Sequence, residues 1–215
     1  MVFCCAASNS NPVNPVNPVQ VNPLLLATRN SHKTREFSEI LGGEFVVRDL
    51  SGETNAPAIE ETGSTFAENA ILKAVGISRQ FPGLVLADDS GLEVDALNGA
   101  PGVYSARYAG PAANDHDNIQ RLLSELRGCS LAGPPSARFR CVLALARDGE
   151  LLDTFEGAVE GTIVDVARGD AGFGYDPVFQ PAGLTKTFAE LSPVEKNRIS
   201  HRAQAIRLLR NALVD

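Results

Sequence analysis

Leu84-Val85-Leu86-Ala87-Asp88-Asp89-Ser90-Gly91-Leu92-Glu93-Val94-Asp95 sets an apolar run directly against two adjacent carboxylates. Leu84 to Ala87 read as a buried strand, and the strand is expected to end at the acids. Neighbouring acids at a strand end are expensive to keep ionised unless a cation sits beside them. A divalent metal with a phosphate meets that need, because hard cations prefer carboxylate oxygens. The plainer reading is a polar turn, with Asp88 or Asp89 making a turn hydrogen bond.

Outward from this stretch the pattern is mixed α/β. Leu24 to Thr28 read as a buried strand, Lys33 to Leu41 as a helix with Phe37, Ile40 and Leu41 on one face, and Phe45-Val46-Val47 as a short strand. Thr65-Phe66-Ala67-Glu68 forms a capping box for a helix to about Gln80, and Asn114 caps another through Leu126. Arg138 to Ala146 is a strand, and Asp148-Gly149 turns it into a long strand from Leu151 to Val166. Arg140 interrupts the first of these, and Gly157 and Gly161 in the second suggest bends or bulges. Ser192-Pro193-Val194-Glu195 is a further capping box. Early alternation predicts a mixed central sheet flanked by helices. The later hairpin predicts a second, antiparallel lobe, with a cleft between the two.

Composition narrows the function classes. A chain of 215 residues with 44% apolar content can bury one substantial core. Its net charge of −7 argues against binding long nucleic acid through a general basic surface, though a few cations gathered in one cleft still capture a small anion. Cys4, Cys5, Cys129 and Cys141 lack metal-ligand spacing, and Cys141 lies in an apolar run, which points to a reducing, cytoplasmic compartment without disulfides. No apolar stretch is long enough to span a membrane. Asn-Pro-Val repeats at 11–13, 14–16 and 17–19, with Asn22-Pro23 as an echo, place proline where neither helix nor ladder tolerates it. Residues 1–23 therefore read as a disordered extension and 24–215 as the folded domain.

Four further constellations accompany the acidic stretch. Thr28-Arg29-Asn30-Ser31-His32-Lys33 joins the first strand to the first helix, where α/β sheets collect phosphates. Thr28, Asn30 and Ser31 offer hydrogen bonds and Lys33 a point charge. Glu60-Glu61-Thr62-Gly63 supplies more carboxylates ahead of a helix bearing Asn69 and Lys73. In Gly172-Phe173-Gly174-Tyr175-Asp176-Pro177 the glycines let backbone approach a ligand, and the aromatic offers a face to a flat base. Lys196, His201 and Arg202 gather donors near the carboxyl end. On one regular helix Lys196 and Arg202 would lie about 240° apart. If both face one ligand, the helix breaks near Ile199-Ser200, with Ser200 capping the second segment.

Taken in order from Leu24 to Leu209, these motifs resemble the inosine triphosphate pyrophosphatase family, the XTP/dITP diphosphatases. The family's T-G-N-x-x-K is Thr28 to Lys33, its E-T-G with F-x-E-N-A and lysine is Glu61 to Lys73, and its A-D-D-S-G-L is Ala87 to Leu92. Its A-P-G-x-Y-S-A-R-Y is Ala100 to Tyr108, its G-F-G-Y-D-P is Gly172 to Pro177, and its E-K with S-H-R is Glu195-Lys196 with Ser200 to Arg202. Arg29 departs from the usual glycine, and His32 from an often small residue. Both add a cation suited to a polyphosphate.

The resemblance implies hydrolysis of ITP, dITP and XTP to the monophosphate and pyrophosphate, with Mg²⁺ as cofactor and a homodimer as the assembly. It makes Asp89 and Lys33 catalytic and places the metal at Glu61 and Asp89. Lys33, Lys73 and Lys196 would hold phosphates, with the 28–33 loop and Ser90 beside them. Phe173 would stack on the purine within the Gly174, Tyr175 and Asp176 turn, and His201 and Arg202 would donate to its 6-oxo group. Two other readings compete. A phosphate-monoester phosphohydrolase would use an Asp88-Asp89-Ser90 nucleophile, and a non-catalytic nucleotide-sensing module would bind without turnover.

Overall fold

A computed structural model of the chain describes residues 22–214. Among them six strands, β1 (Asn22–Leu26), β2 (Phe45–Asp49), β3 (Leu84–Val94), β4 (Ser136–Arg147), β5 (Glu150–Ile163) and β6 (Phe179–Pro181), form one sheet in the order β2-β1-β3-β4-β5-β6. The β2-β1-β3 side is parallel and the β3-β4-β5-β6 side antiparallel. The helices are α1 (Ser31–Leu41), α2 (Phe66–Ser78), α3 (Asp115–Arg127), α4 (Pro193–Ile199) and α5 (His201–Val214). The predicted mixed α/β sheet is therefore present. Its two halves share a single continuous sheet, because β3 and β4 pair from Val85↔Ala146 through Val94↔Ala137.

Packing divides what the sheet unites. One apolar cluster joins Leu92, Val94, Phe139 and Phe179 to Leu122 of α3. A second packs Leu24, Leu26, Leu86 and Cys141 against Phe37 of α1 and Ile206 of α5. A third packs Val85, Ala87 and Val142 against Ala70, Ala74 and Ile77 of α2. Odd and even positions of β3 thus enter different clusters, as strand alternation requires. No helix among the described residues is long and apolar enough to cross a membrane.

Four expectations need correction. The strand expected to stop at Ala87 continues through Asp88, Asp89 and Ser90 to Val94, because β4 pairs with it almost to both ends. The parallel neighbour is what ends there: β1 pairs only with Leu84, Val85 and Leu86 of β3. The strand placed at Leu24–Thr28 runs instead from Asn22 to Leu26, and Pro23 pairs in register with Val46, at a point where β1 has no β3 partner. The long strand ends at Ile163 rather than Val166. Gly157 and Gly161 make no bulge; the register shift falls at Leu145/Ala146. These glycines instead admit neighbouring backbone. A Cβ on Gly157 would lie 2.1 Å from the His201 carbonyl oxygen, and one on Gly161 2.3 Å from that of Gln180. The repeats at 11–19 lie outside the described residues.

Local signals fare better. Both capping boxes form, from Thr65 with Glu68 and from Ser192 with Glu195. Asp148 and Gly149 take φ of 53° and 83°, as a primed hairpin turn requires. The final helix breaks at Ser200, whose hydroxyl accepts from the Ala203 amide at 3.1 Å.

Gly157→Ala should force α5 away from β5. We expect a loss of about 2–3 kcal/mol, a fall of roughly 4–12 °C in thermal midpoint at this chain length. An unchanged midpoint would show that the helix backbone yields freely.

Candidate active site

Where β1 ends and β3 continues, the edge of β3 faces a cleft of about 490 Å³. Its lining includes six of the chain's 19 lysines and arginines: Arg29, Lys33, Lys73, Arg107, Lys196 and Arg202. Five acids, Glu61, Asp88, Asp89, Asp115 and Asp176, line it too, so the cleft carries a net charge of +1 in a chain of net charge −7, a local excess that suits an anion.

Asp88 and Asp89 lie at the centre, and strand alternation sends them to opposite faces. Asp88 turns toward α5. Its Oδ1 accepts from Lys33 Nζ and, at 2.9 Å, from Ser90 Oγ; its Oδ2 accepts from Arg202 Nε at 2.9 Å. The Cys141 thiol lies 3.2 Å from the same Oδ2. Burial would raise the Asp88 pKa, but Arg202 and then Lys33 outweigh it and hold the carboxyl well below the usual range. The Asp88 side chain is 0% exposed, its oxygens engaged by Lys33, Ser90 and Arg202.

Asp89 turns toward α2. Its Oδ1 accepts from Lys73 Nζ at 2.8 Å, and Asn69 Nδ2 is 3.5 Å from its Oδ2. Lys73 also donates to Glu61 Oε1 at 2.8 Å and to the Asp88 carbonyl at 2.9 Å. Burial raises the Asp89 pKa, and Lys73 does not fully offset it. For Glu61 burial acts the same way, but Lys73 and then Arg107, 3.1 Å away, bring its pKa below the ordinary value. Glu61 and Asp89 thus converge on one cation, while Glu60 is exposed and outside the lining. Among the described residues no group of three or more His, Cys, Asp or Glu side chains is arranged around a metal.

The far wall comes from the second half of the molecule. Lys196 Nζ donates to Asp176 Oδ2 at 2.6 Å and to Glu36 Oε1 at 2.8 Å. Arg202 Nη1 donates to Glu36 as well, and Nη2 to Ser90 Oγ at 2.8 Å. Three of its five N–H groups are so engaged, leaving two for a ligand. His201 stacks on Phe139 at 4.8 Å, and its Nδ1 has no hydrogen-bond partner among the described residues. Burial, then Arg202 and Lys196, push its pKa well down, so the imidazole is neutral. Asp176 also accepts from the Phe173 amide at 3.0 Å; a Cβ on Gly172, whose φ is +78°, would strike that carboxylate at 2.0 Å.

The cleft gathers most of the residues singled out from sequence: Thr28, Arg29, Asn30, Lys33, Glu61, Lys73, Asp88 to Ser90, Phe173 to Asp176, Lys196, His201 and Arg202. Ser31 and His32 stand outside the lining. Asn30 spends its Oδ1 capping α1, accepting from the His32 and Lys33 amides at 2.9 and 3.3 Å. Tyr175 sends its hydroxyl to the Ser105 carbonyl at 3.0 Å, a structural tether. Arg29 causes no backbone strain, since among the described residues the non-glycine residues at positive φ are Asn98 and Asp148; its guanidinium reaches the Ala56 carbonyl at 3.2 Å. Sequence reasoning assigned no role to Glu36 or Arg107. Glu36 lies one helical turn after Lys33, so spacing alone would have put both on one face. Arg107 lies within the Ala100–Tyr108 stretch. Asn118 holds its segment by accepting from the Ala109 amide at 2.7 Å.

A mixed α/β sheet with a cation-lined cleft at the end of a parallel strand defines an anion-binding, nucleotide-type site. The family model described as the Ham1 family matches residues 24–212, and the chain belongs to that family. It is 51% identical to the dITP/XTP pyrophosphatase of Bacillus licheniformis, over 89% of this chain and 97% of that protein. It is 50% identical to the one from Methylococcus capsulatus, over 88% and 95%. The solved structure of a HAM1 protein from Coxiella burnetii superposes with a TM-score of 0.81 at 45% identity, covering 90% of this chain and 99% of that one.

The two aspartates should separate in thermal melts. The folded pKa of Asp88 lies below its ordinary 3.8, so its contribution is complete above that value and is lost as pH falls through the folded one. Asp88→Asn should cost about 3–5 kcal/mol at pH 7, as expected when a buried pair loses one partner, and the gap to wild type should narrow below pH 3.8. The folded pKa of Asp89 is raised, so its ionisation subtracts stability at neutral pH. Against its burial, Lys73 owes its raised pKa first to Asp89, so Asp89→Asn should lose some stability there but clearly less than Asp88→Asn. The reverse order would misassign the buried charge.

Proposed function

We propose that this protein hydrolyses non-standard purine nucleoside triphosphates, ITP, dITP and XTP, to the monophosphate and pyrophosphate, and so cleanses the nucleotide pool. The observation that carries the reading is the pair of lysines flanking the two aspartates of β3. Its support is the Ham1 match together with the dITP/XTP pyrophosphatase relatives.

In this reading Lys33 and Lys73 exchange carboxylate contacts for phosphate oxygens when the triphosphate arrives. Glu61 and Asp89 share a single cation position, and among the described residues no third acidic neighbour is arranged with them. That donor set suits Mg²⁺, which commonly takes one or two carboxylates and completes its shell with water and substrate phosphates. Bound there, the ion would neutralise the polyphosphate and orient the α-phosphorus for in-line attack. Asp89 positions or deprotonates the attacking water. Phe173 stacks on the purine, and His201 with the two free N–H groups of Arg202 reads its 6-oxo oxygen. Adenine presents an amino group there, which leaves those donors unpaired at about 1–3 kcal/mol each. The catalytic unit in this reading is 24–215.

With Mg²⁺, pyrophosphate should appear from ITP, dITP and XTP, and far more slowly from ATP and GTP. Equal turnover of ATP and ITP would end the specificity claim, and release of inorganic phosphate would favour the monoesterase. Asp89→Asn should lower kcat about a hundredfold or more while remaining folded, within the range of a positioned proton acceptor. Near-normal turnover of that variant would move the chemistry to Asp88 or to the glutamates Glu60 and Glu61.

A further inference from the structure

His32, where the family often carries a small residue, does not face the phosphate lysines through any hydrogen bond. Its ring stacks on Phe173, with centroids 5.4 Å apart and planes inclined by 26°. Lys196 and Arg202 also lie over the Phe173 ring, at 5.0 and 5.6 Å. A base seeking a face of Phe173 must therefore displace one of these neighbours. Lys196 is held by Asp176 and Glu36, and Arg202 by Asp88, Glu36 and Ser90. The His32 side chain is exposed and has no hydrogen-bond partner among the described residues. Of the three, it is the one able to swing.

We propose that His32 is a second wall of the base subsite, which parts from Phe173 to admit the purine and then stacks on the base's other face. The proposal rests on the reading of Phe173 as the purine's stacking surface. A base between two rings needs twice the ~3.4 Å rise of stacked nucleobases. The present separation is 5.4 Å, so the opening is small. Side-chain rotation supplies it, because Asn30 fixes the helix start by accepting from the His32 and Lys33 amides. The assignment moves His32 from the phosphates to the base. Stacking is indifferent to base identity, so this wall adds affinity for every purine and leaves discrimination to the groups around the 6-position.

The test is steady-state ITP hydrolysis with inorganic tripolyphosphate as a base-free competitor. His32→Ala should raise KM for ITP roughly five- to tenfold, the low end for losing one stacked face. Its kcat should stay within about twofold, and inhibition by tripolyphosphate should not change. His32→Phe should restore KM. An unchanged or lower KM in His32→Ala would overturn the proposal and leave the ring as a cover that substrate displaces. Equal weakening toward tripolyphosphate would overturn it in favour of a phosphate contact. Phe173→Leu separates the two levels. If it leaves KM for ITP unchanged, the base reading of Phe173 fails and takes the proposal with it. If it raises KM and His32→Ala does not, the second wall alone fails.

Discussion

The buried ion pair between Arg202 and Asp88 joins the amino end of α5 to the middle of β3, and the cleft is arranged around it. Two fully buried opposite charges are costly to desolvate, so such a pair persists only when its remaining hydrogen-bonding capacity is met. Here Glu36 of α1 and Ser90 of β3 take further Arg202 donors, while Lys33 of α1 takes the other Asp88 oxygen. Three elements distant in sequence are thereby held in one register. The break at Ser200 is what lets α5 begin there with Arg202 pointing at the sheet while Lys196, on α4, reaches Asp176.

This arrangement divides labour between adjacent residues. A strand turns consecutive side chains to opposite faces, so Asp88 is drawn into the α5 side and Asp89 into the α2 side. Asp88 is stabilised in its charged form and spent on architecture. Asp89 keeps a raised pKa and stays at the cleft, with Lys73 balancing it against Glu61. Two acids in sequence therefore do not form a carboxylate dyad. The mutual repulsion that the sequence implies is relieved by geometry before any metal is considered.

Much of the molecule was legible because its signals are local. Capping boxes at Thr65 and Ser192, the Asp148-Gly149 turn and the Ser200 break each depend on a few neighbouring residues and atoms. The end of β3 was not legible, because what extends it past Ala87 is the β4 partner far along the chain, and pairing overrides the local polarity of Asp88 and Asp89. Gly157 and Gly161 escaped for the same reason: the backbone they admit belongs to α5 and β6. The site showed the same division. Motif residues converged on the cleft, whereas the partners of those residues, Glu36 and Arg107, emerged only once the chain was folded.

The loop from Thr28 to Lys33 shows how a substitution is accommodated without loss of the site. Glycine at position 29 would be needed for a left-handed backbone, but residue 29 does not adopt one. An arginine costs nothing in strain and adds a tether to Ala56 across the cleft rim. His32 follows Asn30 on the first turn of α1, where the helix start is fixed by the Asn30 cap and the ring rests on Phe173. Both departures thus sit where the backbone geometry is set by other residues, so new side chains change the rim of the cleft and leave its floor on β3 intact.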